Sequence, residues 1–154
     1  MILEEEQIDF QSSIGPWMGK TVKIVEYYLQ ELFTEFGLDL SKEQMIVLKE
    51  LNVQDGLNQN ELASLAFRDK SSMARLLSKM ERKNYIQREQ SKEDKRINLV
   101  YLTEKGRVVY KQTRPVLKKL IKTMEQNITK SEKKQLIKIL KKVQFNFTQE
   151  KASL

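Results

Sequence analysis

The sequence predicts a mainly helical protein carrying one small β-hairpin. Only two prolines and five glycines punctuate the 154 residues, which favours long helices over a strand-and-turn architecture. Apolar residues recur at helical spacing along most of the chain. Just two short segments, Ile86 to Gln90 and Ile97 to Leu102, read as strands, the second rich in β-branched and aromatic residues.

The first helix runs from about Gln11 to Phe36, with Ile14, Trp17, Met18, Val25, Tyr28, Leu29, Leu32, Phe33 and Phe36 forming a wide apolar stripe. Gly37 stands where a left-handed residue ends a helix. Ser41-Lys-Glu-Gln44 has capping-box spacing, so that Ser41 and Gln44 satisfy each other's amides at the start of a second helix. That helix turns Met45, Leu48 and Leu51 inward and ends near Gln54-Asp55-Gly56. Asn58-Gln-Asn-Glu61 has the same spacing and opens a short helix through Leu62, Leu65 and Ala66. After a brief connection Asp69 caps a further helix to about Asn84, which buries Met73, Leu76, Leu77 and Met80.

Two short helices joined by a tight connection are a helix-turn-helix. Its second helix exposes Lys70, Ser71, Ser72, Arg75, Ser78, Lys79 and Arg82, donors suited to phosphates and base edges. The two strands follow, joined by the polar loop Ser91-Lys-Glu-Asp-Lys-Arg96, and a hairpin directly after a helix-turn-helix is a wing. Thr103 caps the next helix, which runs to about Asn127 with Val109, Val116, Leu117, Leu120, Ile121 and Met124 on one face. Pro115 inside it predicts a bend or an interruption. Thr129-Lys-Ser-Glu132 starts a last helix, with Leu136, Leu140, Val143 and Phe147 along one side. The tail beyond Phe147 is expected to fray.

The length suits one domain. Composition is that of a soluble, charge-rich chain, 40% hydrophobic and 32% charged, and no run is long enough to cross a bilayer. Met1 to Phe10 carries four acids and no base, the opposite of a secretory leader, so a cytoplasmic protein is expected. The absence of Cys excludes disulfides, thiolate zinc sites and thiol redox sensing. The absence of His removes the commonest general base and the commonest metal ligand. Without a phosphate-cradling glycine loop or paired carboxylates, the expectation is a non-enzyme with no metal and no cofactor.

Net charge is +7 but unevenly distributed. Residues 1–67 hold 4 basic against 12 acidic side chains, residues 68–96 hold 10 against 5, and residues 97–154 hold 14 against 4. Such asymmetry points to a polyanionic partner, or to pairing between acidic and basic parts of the protein. Glu26, Glu31 and Glu35 on the first helix are candidates to face Lys118, Lys119, Lys122, Lys133 and Lys134.

Several stretches together resemble the MarR family of multiple-antibiotic-resistance regulators. Leu40-Ser-Lys-Glu-Gln-Met-Ile-Val-Leu48 resembles the family's entry to its second helix, and Asn58-Gln-Asn-Glu-Leu-Ala63 its third. Asp69-Lys-Ser-Ser-Met-Ala-Arg-Leu76 resembles the recognition helix and Ile86-Gln-Arg88 the first wing strand. Asp94-Lys-Arg96 matches the D-x-R wing tip, and Leu102-Thr-Glu-Lys-Gly106 matches the closure that follows. Asn84 departs from the family's usual glycine and Ala74 from its frequent hydroxyl residue. Asn84 still tolerates a left-handed C-cap, and Ala74 could touch a thymine methyl.

The resemblance implies a single domain over 1–154. Within it, residues 40–103 would form a winged helix-turn-helix lobe, and 11–37 and 104–148 would supply dimerisation helices. It implies a homodimeric, sequence-specific regulator of double-stranded DNA, usually a repressor, with a near-palindromic operator. Ser71, Ser72 and Arg75 would read bases or anchor to phosphates in the major groove, and Arg96 would enter the minor groove. Asp94 would orient Arg96 or pair with another arginine such as Arg75. Lys70, Ser78, Lys79, Arg82, Arg88, Lys92 and Lys95 complete the expected DNA-binding set. Many family members bind a small aromatic or phenolic effector, for which Trp17, Met18, Tyr27, Tyr28, Phe33 and Met45 are the candidates. A non-specific nucleoid or protein-interaction module is the competing reading, separable by whether one duplex is preferred over random DNA.

Overall fold

The computed structural model describes residues 7–152, with side chains to residue 149. The acids at 4–6 therefore lie outside the described residues. The chain forms two compact units, residues 1–120 and 121–154. Its elements are α1 (Ile14–Glu35), α2 (Lys42–Val53), β1 (Leu57–Asn58), α3 (Gln59–Leu65), α4 (Lys70–Arg82), β2 (Ile86–Gln90), β3 (Asn98–Leu102), α5 (Glu104–Met124) and α6 (Lys130–Ala152). None of the described helices is long and apolar enough to cross a membrane.

The expected mainly helical fold with its β-hairpin wing is what forms. The sheet gains one strand that the sequence reading missed. Leu57–Asn58 pairs antiparallel with β3, Leu57 opposite Val100, giving the order β1-β3-β2. Two residues are too few to show a period-2 pattern, so only the presence of β3 makes them a strand.

Helix ends follow the caps. Ser41 and Gln44 form the full reciprocal box, as do Thr129 and Glu132. Asn58 accepts from the Glu61 amide at 2.9 Å, but the Glu61 carboxylate returns to the Asn58 side-chain amide, not to its backbone, so this box is only half made. At the other ends, α1, α3 and α4 close in one way. The third residue past each helix donates to a carbonyl five back: Leu38 to Phe33, Arg68 to Ala63 and Tyr85 to Met80. The residue between must be left-handed. Gly37 and Asn84 suit that position, whereas Phe67 adopts it at φ 52° with its side chain 98% exposed.

In the first unit Leu29, Leu32 and Phe33 of α1 pack with Val47, Leu48, Leu51, Leu62, Met73, Leu77, Met80, Ile86, Val100 and Val116 in one core. Leu65 of α3 is about half exposed. Of the bend or interruption expected at Pro115, the interruption does not occur, and α5 is continuous through it. Proline lacks the N–H that would bond the Lys111 carbonyl, but neighbouring turns carry the helix past that single loss. In the second unit α6 extends to Ala152, past the point where fraying was expected, and its apolar residues Leu136 and Phe147 stay exposed.

Candidate nucleic-acid interface

The surface is built from the cap of α4 outward. Asp69 accepts from the Ser72 amide at 2.8 Å. That bond, aided by the positive charges of Arg75 and Arg68, holds its carboxyl below the ordinary value of 3.8. With Met73, Leu76, Leu77 and Met80 buried, the 3.6-residue period turns Lys70, Ser71, Arg75, Lys79 and Arg82 to solvent. Ala74, Arg75, Ser78, Lys79 and Arg82 line a shallow groove along this face. Two hydroxyls of the expected set are already engaged. Arg68 donates to the Ser72 hydroxyl, and Arg88 approaches the Ser78 hydroxyl at 3.4 Å.

The wing is a hairpin in register from Ile86 opposite Leu102 to Gln90 opposite Asn98. Its loop is shaped by Ser91, whose hydroxyl accepts from the amides of Glu93 and Asp94, both at 3.3 Å. Lys92, Lys95 and Arg96 are exposed. At the tip Arg96 donates from Nε and Nη2 to the two oxygens of Asp94, at 3.1 and 3.2 Å, and its amide also reaches Asp94 Oδ1 at 3.1 Å. Those Arg96 bonds hold the Asp94 carboxyl below its ordinary value. Of the partners considered for Asp94, the structure selects Arg96 and not Arg75.

Arg88 is placed differently from the other cations. Its Nε and Nη2 grip the Glu81 carboxylate at 3.2 and 3.1 Å, joining β2 to the outer side of α4.

Contacts that no local pattern announced hold this lobe in shape. Lys83 donates to the Asp39 carbonyl (3.2 Å), the Asp39 carboxylate (2.9 Å) and Gln44 Oε1 (3.0 Å), while the Tyr85 hydroxyl donates to the Asp39 carbonyl at 2.7 Å. Asp55 accepts from the Leu102 amide at 2.9 Å and from Arg107 at 2.6 Å, tying the sheet to α5. Lys119 pairs with Glu35 at 3.1 Å, as the charge pattern suggested. Glu26 instead takes Lys42 at 2.5 Å, because α2 begins beside it, and Lys133 pairs with Glu125.

The six effector candidates differ in burial. Phe33 is fully buried in the core, Tyr28 and Met45 pack half-buried against it, and Met18 is half-buried. Trp17 and Tyr27 are largely exposed, Trp17 donating to the Gln11 carbonyl at 2.8 Å.

Comparison with known proteins agrees with this geometry. The MarR family profile matches residues 40–97, the segment from the start of α2 to the end of the wing loop. The HTH-type transcriptional regulator SarZ of Staphylococcus haemolyticus is 30% identical over 126 residues, covering 80% of this chain and 79% of that one. The transcriptional repressor CouR, bound to a 23-mer DNA duplex, superposes with a TM-score of 0.75 at 19% identity, over 89% of this chain and 98% of CouR. BpsR of Bordetella bronchiseptica, whose DNA binding is regulated by 6-hydroxynicotinic acid, gives a TM-score of 0.80 at 16% identity, over 90% and 97%. A winged helix-turn-helix with a basic recognition face is the architecture of a DNA-binding transcriptional regulator. The chain belongs to the MarR family.

Proposed function

We propose that this protein is a cytoplasmic homodimeric repressor that binds a near-palindromic operator and is released by a small aromatic or phenolic molecule. The observation that carries the DNA part is the pairing of two features on one lobe. One is a helix whose outer groove is lined by Arg75, Lys79 and Arg82. The other is a hairpin tip that holds an outward arginine in a fixed fork with Asp94. The helix fits a major groove and the arginine fits the negative potential of a narrow minor groove. Asp94 fixes the direction of a side chain that is 90% exposed and would otherwise lose rotamer entropy on binding.

Dimerisation is supported by large apolar side chains left exposed on the flanking helices: Ile14, Trp17, Val22 and Ile24 on α1, and Leu136, Ile139 and Phe147 on α6. Residues 11–37 and 104–148 would bury them between two copies, leaving each 40–103 lobe free. Two-fold symmetry then places the half-sites about one helical turn apart. The effector reading leans on the regulation of BpsR by an aromatic acid and on the exposed Trp17 and Tyr27, which a second copy would help to enclose.

The test is a fluorescence-anisotropy titration of the DNA upstream of this protein's own gene against a shuffled fragment, at several salt concentrations. A preference of roughly 10³-fold or more for the native fragment is expected. Arg96→Ala should weaken binding severalfold with the dimer intact. Equal binding of both fragments would favour non-specific coating, and unchanged affinity of Arg96→Ala would refute the wing contact.

A further inference from the structure

We infer that Glu81 withholds Arg88 from DNA and so limits the protein's affinity for any duplex. This rests on the duplex-binding reading and refines it.

Residues 68–96, which include α4 and the wing that would meet a polyanion, carry five acids among ten bases. Two of the acids have evident duties, since Asp69 caps α4 and Asp94 holds Arg96. Glu81 needs its own explanation, because a carboxylate there repels phosphate. Its partner supplies one. Nε and Nη2 of Arg88 meet the two oxygens of Glu81 in a fork, and Nη2 also points at Ser78. The Arg88 side chain is 24% exposed, against 90% for Arg96, so its grip on Glu81 is screened less by solvent.

A bidentate arginine–carboxylate fork is stronger and more directional than a single contact. Moving Arg88 onto a phosphate would break both bonds and leave the Glu81 carboxylate uncompensated beside the DNA. Arg75, Lys79, Arg82, Lys92 and Lys95 face no such barrier, as no acid lies within ion-pair distance of them among the described residues. Arg88 therefore belongs to the frame that joins β2 to α4, not to the phosphate-binding set in which the sequence placed it.

The experiment uses full-length protein with Glu81→Gln, Arg88→Gln and the double variant, after circular dichroism confirms folding. Binding to the native and shuffled duplexes is followed against salt. Each phosphate newly neutralised steepens the dependence of log K on log salt by about 0.9. Glu81→Gln is expected to steepen it by about that much per subunit, and to raise affinity severalfold at low salt for both duplexes. Arg88→Gln alone uncovers the Glu81 carboxylate and should weaken binding to both duplexes, whereas the double variant, which removes both charges, should return to the wild-type slope. A double variant with a slope shallower than that of the wild type would show that Arg88 already sits on phosphate and would overturn the inference. A gain that survives in the double variant would assign the effect to direct repulsion by Glu81, again overturning it. If wild-type protein bound no duplex at low salt, the DNA reading itself would fall and this inference with it.

Discussion

Gly106 is the residue on which the join between wing and α5 turns. It lies in the first turn of α5, where the Thr103 hydroxyl accepts from its amide at 3.0 Å. A Cβ built on Gly106 would lie 2.1 Å from the backbone oxygen of Tyr85, and real Cβ atoms essentially never come within 3.0 Å, so the two chains would have to part by about 0.9 Å. Backbone cannot swing aside as a side chain does. The same Tyr85 oxygen accepts from the Thr103 amide at 3.1 Å, and the Thr103 hydroxyl donates to the Asn84 carbonyl at 2.6 Å. Parting the chains therefore strains a hydrogen bond worth about 1 kcal/mol and a cap worth about 1 kcal/mol, with overpacking costing a further 1–3 kcal/mol or so. The better helix propensity of alanine returns about 1 kcal/mol. Gly106→Ala should thus destabilise the protein by roughly 2–4 kcal/mol, a fall of roughly 5–15 °C in Tm for a chain of this size. Thermal unfolding followed by circular dichroism at 222 nm measures it. A Tm equal to or above that of the wild type would mean that the close approach of α5 to Tyr85 is not a feature of the folded protein.

Two further outcomes follow from the same structure. Phe67 holds the left-handed position that Gly37 and Asn84 fill at the ends of α1 and α4, and its exposed ring gains almost nothing from packing. Phe67→Asn should raise stability by about 0.5–1 kcal/mol; a lower Tm would show that the ring is buried in the assembled protein. The Asp94 carboxyl is held below its ordinary 3.8 by the Arg96 bonds. A depressed folded value means that the unfolded chain binds more protons in acid, so the pair's contribution is complete above the ordinary value and is lost as pH falls through the folded one. In Arg96→Ala the Asp94 titration, followed by carboxyl carbon NMR, should return toward 3.8. An unmoved midpoint would deny the fork at the wing tip.

Much of the interface was legible because it is local. Asp69 as a cap, Met73, Leu77 and Met80 inward with Arg75 and Lys79 outward, and Asp94 two residues from Arg96 are all relations within one or two turns of chain. Helical periodicity and cap chemistry set them before any tertiary contact forms. Arg88 shows the limit of that reading. Its place on the first wing strand suggested a DNA contact, but the partner that occupies it lies seven residues back on another element. Exposure can be inferred from a pattern, whereas prior engagement cannot.

The sequence by itself determined the order of helices, the hairpin, the caps at Ser41, Asp69 and Thr129, and the left-handed turn at Asn84. These rest on backbone geometry and on side chains meeting their own neighbours. Only the tertiary structure decided that Leu57–Asn58 is a strand, that Lys83 and Tyr85 converge on Asp39, that Asp55 bridges β3 to Arg107, and that Gly106 must be glycine. Each joins residues roughly 20 to 50 positions apart, or a strand too short to show its own period. Such partners come together only after the core has brought their elements into contact, and no local pattern records which ones will meet.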